Sequence, residues 1–75
     1  MIPYRDLSND SGVEAFEIGA AHIDVQFRGG SVYRYTVQSV GEANLNTMKA
    51  LAEAGDGLNS FINKNVRKLF SEKIR

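Results

Sequence analysis

Nine cations, nine carboxylates and a single histidine are spread over 75 residues, and their spacing sorts them by the chemistry they could do. Lys64, Arg67, Lys68 and Arg75, with Ser71, recur at intervals that an α-helix would bring to one side. Such a row can follow a phosphate backbone, each contact adding a salt-dependent increment. It is also what many solvated helix ends carry, because cations there complement the helix dipole. Tyr33 and Tyr35 stand two apart, as sheet aromatics that stack on bases do. In phase with Val37 they suit a core equally well, with the rings buried and the hydroxyls at the rim. Arg34, on the opposite face of the same strand, would extend the basic patch, although Glu17 and Asp24 on that face dilute its field. Of the nine carboxylates, Glu14, Glu17, Asp24, Glu42, Glu53 and Asp56 are scattered through elements and caps, and none is set beside a second acid and a nucleophile. His22 alone builds no metal site, and no cysteine supplies a thiolate. Gly29-Gly30 and Gly55-Asp56-Gly57 lack the spacing of a phosphate-binding loop. No catalytic residue, metal or cofactor is expected.

The net charge of zero conceals a polarity along the chain. Residues 58–75 carry Lys64, Arg67, Lys68, Lys73 and Arg75 against Glu72, a net +4, and residues 1–57 carry the compensating −4. The length fits one domain, whose net stability should be on the order of 3–5 kcal/mol. A hydrophobic fraction of 43% argues for a folded core. The chain lacks cysteine, any apolar run approaching the ~20 residues of a membrane span, and the layout of a signal peptide at its start. A cytoplasmic protein without membrane contact is the expectation.

These residues must be positioned by short elements. Residues 1–11 read as an extended lead-in ending in the turn formers Ser8-Asn9-Asp10-Ser11-Gly12, and residues 12–75 as one domain. Val13 to Ile18, His22 to Arg28 and Val32 to Val37 alternate as strands, with Phe16, Ile18, Ile23, Val25, Phe27, Tyr33 and Tyr35 on one face. Sharing that face requires an odd-numbered hairpin loop, most simply residues 29–31. Phe27 then pairs with Tyr33, Val25 with Tyr35, Gln26 with Arg34 and Asp24 with Thr36. Ser39 and Glu42 have the form of a capping box for a first helix, with Val40, Met48, Leu51 and Ala52 inward and Gly55 as its stop. Asp56 would cap a second helix carrying the stripe Leu58, Phe61, Ile62, Val66, Leu69 and Phe70. Asn65 projects close to that stripe and should bond to backbone at the helix–sheet seam. The fold class is α+β in the order β-β-β-α-α, with both helices on one face of a three-stranded meander and the other face wet.

Ile23-Asp24-Val25-Gln26-Phe27, then Gly30-Ser31-Val32-Tyr33-Arg34-Tyr35, then Phe61, Asn63, Val66 and Arg67 in an F-x-N-x-x-[IV]-[RK] arrangement, together resemble the KTSC domain. That domain is named for its occurrence at the C-terminus of some lysyl-tRNA synthetases and also occurs as a free-standing small bacterial protein. The resemblance covers residues 12–70. It departs in two connections, Gly19-Ala20-Ala21-His22 and Ser39-Val40-Gly41, where the family favours G-Y-D and V-P. It implies a mainly structural role for Tyr33, Tyr35, Phe61, Asn63 and Val66, no established activity, and an association with RNA. The leading expectation is therefore a non-enzymatic module that contacts RNA through Lys64, Arg67, Lys68, Arg75 and Arg34. A competing one is a protein-interaction module that uses the open sheet face, and a third is an accessory protein of mobile-element or phage origin.

Overall fold

The computed structural model describes residues 1–7 and 12–75, and most of the turn run that closes the N-terminal lead-in lies outside them. The fold is α+β, built on one antiparallel sheet of five strands in sequential order. Strands β1 (Ile2–Pro3), β2 (Val13–Ile18), β3 (His22–Phe27) and β4 (Val32–Thr36) precede helices α1 (Val37–Val40), α2 (Glu42–Ala54) and α3 (Leu58–Phe61). Helix α3 runs into one π-helical turn, Ile62–Val66, and β5 (Glu72–Lys73) returns to the sheet. The expected meander is thus the middle of a larger sheet, whose two edges are short strands from the two ends of the chain.

Alternation places the apolar residues where the sequence asks for them. Phe16, Ile23, Val25 and Tyr35 pack with Val40, Leu45, Met48, Ala52, Leu58, Ile62 and Val66 in one core. The register differs from the expectation by two residues. Val25 pairs with Tyr33, Ile23 with Tyr35, Asp24 with Arg34, Gln26 with Val32 and His22 with Thr36. The Phe27 N–H donates to the Ser31 carbonyl at 2.8 Å, so the three-residue loop is 28–30, not 29–31. Gly29 and Gly30 both take φ of +97°, a backbone that side-chain-bearing residues avoid. A two-residue slip leaves every side chain on its face, so the hydrophobic pattern cannot tell the two registers apart. The Arg34 guanidinium forks onto the Asp24 carboxylate at 2.7 and 3.0 Å, and the observed register sets the two residues directly opposite each other. The outer face is not uniformly wet either, since Asp24 and Val32 on it are buried at 6% and 1% exposure.

The helices depart from the expected caps. Thr36 and Ser39 form a reciprocal capping box around α1, so Ser39 serves inside that box and not with Glu42. Helix α2 starts after Gly41 and stops at Gly55, which adopts the left-handed conformation. A Cβ at Gly55 would lie 2.6 Å from that of Arg5, because the N-terminal segment crosses here. Arg5 donates to the Glu53 carbonyl and the Leu7 N–H to the Gly55 carbonyl, which satisfies groups left open at the end of the helix. Tyr4 enters the core, and its hydroxyl accepts the Leu58 N–H at 3.2 Å at the start of α3. Asp56 is therefore not the cap expected of it; the N-cap position is Gly57, with no side-chain hydrogen bond. The first residues are structural, not a lead-in.

The last helix is shorter than its apolar stripe. Leu58, Ile62 and Val66 are buried, whereas Leu69 and Phe70 are 45% and 37% exposed. The π-turn adds a residue to the winding and rotates the next residues off the stripe. The chain then leaves the helix because β4 offers an unpaired edge. The Ser71 N–H and hydroxyl both donate to the Arg34 carbonyl, at 2.7 and 3.2 Å, and Lys73 and Glu72 pair with Tyr33 and Arg34. Asn65 donates to the Phe61 carbonyl of its own helix and is exposed, so it is not at the helix–sheet seam.

Removing the Tyr4 hydroxyl tests the role of the N-terminus. Tyr4→Phe leaves the Leu58 amide without its acceptor inside a buried turn, and should lower stability by about 1–2 kcal/mol in urea unfolding. An unchanged midpoint would mean that the bond contributes nothing.

Candidate functional site

The shortened helix and the returning strand create a feature that periodicity alone could not show. Phe27 from β3, Tyr33 and Tyr35 from β4, Ile62 and Asn63 from the π-turn, and Arg67 and Phe70 beyond it line a cleft of about 220 Å³. Tyr33 is its centre. Its ring meets Phe27 edge-on at 5.8 Å between centroids and Phe70 edge-on at 4.7 Å, the arrangement aromatic quadrupoles favour. Lys73 stands over the same ring, with Nζ 5.9 Å from its centroid. Asn63 and Arg67 are exposed and supply the polar groups of the lining. Phe61 and Val66 belong to the core side of the same element.

The five expected contact residues do not form one helical row. Lys64 is in the π-turn, Arg67 and Lys68 are in the turn after it, and Arg75 lies past β5, where its carbonyl accepts the Val32 N–H at 2.9 Å. Arg34 is on the opposite sheet face, held by Asp24 and 3.7 Å from Glu72. Its guanidinium therefore completes a cross-strand row of charges, Glu17, Asp24, Arg34 and Glu72, and is separated from the cleft by the sheet. Asp24 and, behind it, Glu72 hold the Arg34 proton more tightly than usual. His22 stacks on Gly19, whose Cβ would lie 2.1 Å from the ring, and stands 3.8 Å from Asp24.

The cations differ in how they are engaged. Arg5 and Lys49 donate to main-chain carbonyls, Arg28 faces Asp6 at 3.6 Å, and Arg34 is paired with Asp24. Among the described residues, Lys64, Arg67, Lys68, Lys73 and Arg75 meet no carboxylate in an ion pair. All five lie in the last twelve residues. Among the described residues no cluster of three potential metal ligands occurs, and no helix is long and apolar enough to cross a membrane.

The residues that sequence reasoning did not assign to a site are Phe27, Ile62 and Phe70 of the cleft lining, and Lys73 over the Tyr33 ring. Phe70 reads in the sequence as part of a helical stripe, and the two-residue strand carrying Lys73 is too short to announce itself by alternation. Tyr35, at the floor, is only 2% exposed, and burial together with the neighbouring Tyr33 pushes its hydroxyl up to about 12. An unfolded tyrosine ionises near pH 10. The folded chain thus keeps a proton that the unfolded chain loses, and the resulting stability is complete below about pH 10 and lost as pH rises towards 12. Tyr35→Phe should show a shallower fall in urea midpoint over that window than the parent; parallel curves would refute the assignment.

Comparison of the chain with protein-family models, with curated proteins and with solved structures gives no significant match, so the cleft and its cations stand on their own geometry.

Proposed function

We propose that the chain is a binding module without enzymatic activity of its own, a KTSC-like domain that takes single-stranded nucleic acid, RNA foremost, on the surface around the π-turn. One observation carries this reading. Four of the nine cations are engaged by carboxylates or main-chain carbonyls, whereas the five in the last twelve residues face no carboxylate among the described residues. Unpaired cations beside a rim of aromatic rings are what a flexible polyanion with flat bases requires. Lys64, Arg67 and Lys68 are the phosphate contacts, with Lys73 and Arg75 on the adjoining strand segment. Arg34 supports the sheet and takes no part. The motif residues Tyr33, Tyr35, Asn63 and Arg67, which carry the KTSC resemblance, all line the cleft at this surface, and this supports reading them as a site as well as a scaffold.

Fluorescence anisotropy with a labelled single-stranded RNA of ~12 nucleotides is the direct test. Three neutralised phosphates give a log–log salt slope of about −2, so affinity should fall roughly twentyfold between about 50 and 200 mM salt. Lys64→Glu combined with Lys68→Glu, both at exposed positions, should abolish binding with circular dichroism unchanged. Absence of binding at the lower salt, or affinity indifferent to salt and to the two reversals, would overturn the reading.

A further inference from the structure

Resting on that nucleic-acid reading, we propose that the cleft is a pocket for one unpaired base, with the phosphate beside that base held by Arg67. Its size sets the scale: an open cleft of about 220 Å³, below the ~300 Å³ at which small-molecule sites begin, matches one planar ring with the rest of the nucleotide lying outside it. Its walls set the shape. Tyr33 stands roughly perpendicular to both Phe27 and Phe70, at 74° and 67°, so an entering ring has an aromatic face or edge on several sides. Phe70 is 37% exposed although the core lies next to it, an apolar surface that a stacked base would cover.

The polar groups fit the rest of a nucleotide. The Asn63 amide carries both a donor and an acceptor, the pair needed to meet the hydrogen-bonding edge of a base. Arg67 presents a planar guanidinium that forks onto phosphate, and no described carboxylate competes for it. Lys73, over Tyr33, adds a second positive charge beside the same ring. The local net charge of +4 in residues 58–75 complements a phosphate ester, whereas a neutral aromatic ligand would leave those cations unused.

The test compares two oligomers of equal charge, a ~8-nucleotide oligouridylate and an abasic sugar–phosphate chain of the same length, at low salt. The base-bearing oligomer should bind about tenfold more tightly, the effect of one stacked base. Phe70→Ala should reduce it to the abasic level without changing the abasic affinity, and Phe70→Tyr, which keeps the ring, should preserve the difference. Equal, salt-sensitive binding of both oligomers would overturn the pocket and leave the nucleic-acid reading standing. So would Phe70→Ala weakening both alike. Failure of both oligomers to bind would overturn the pocket together with the reading on which it rests.

Discussion

A carboxylate buried in a sheet face is tolerated only where its charge is met, and Asp24, at 6% exposure, is met by Arg34 from the neighbouring strand. The hydrophobic alternation of β3 and β4 is compatible with two registers two residues apart, each closed by a three-residue loop. In the alternative, Asp24 would face Thr36 and Arg34 would face Gln26, so the two charges would be diagonal neighbours and not directly opposed. The directly opposed, bidentate pair thus favours the observed register over the alternative. Glu72, 3.7 Å from Arg34, extends the same row onto β5 and links the end of the chain to the register of the hairpin.

The remainder of the structure depends on that register. With Val25 opposite Tyr33, the tyrosine ring lies between Phe27 and the segment beyond the π-turn. The same pairing leaves the main-chain groups of Val32 and Arg34 facing outward at the edge of the sheet. Ser71 and β5 occupy that edge, so the helix cannot continue through Leu69 and Phe70. The cleft is the space left between a helix that ends early and a strand that returns. Its aromatic residues come from β3, β4 and the C-terminal segment, and no two of those elements would form it alone.

Electrostatics obeys the same division. The chain is neutral overall, and the cations of its first three-quarters are used within the fold, on the main-chain carbonyls of Glu53 and Ala20, the Asp6 carboxylate and the buried Asp24. The last twelve residues hold five cations and a single acid, and that acid faces Arg34 on the other side of the sheet. The result is a small positive surface beside an aromatic cleft on a protein with no net charge. Composition alone would have discounted such a surface.

The sequence determined the elements whose signals are local. Alternation marked β2, β3 and β4 and their inward faces, the apolar stripe marked α2 and α3, and Gly55 marked the stop between them, because each reports which side of one segment leaves water. The polar separation of charge was legible too, since it is a property of order along the chain. Tertiary structure alone decided the register, the use of Tyr4 as the acceptor at the start of α3, and the end of the last helix at Val66. It also decided the separation of Arg34 from Arg67. Each of these turned on satisfying a group far away in sequence: a buried carboxylate, an open helix amide, an unpaired strand edge. Periodicity within a segment carries no record of such partners, and the candidate site is made of them.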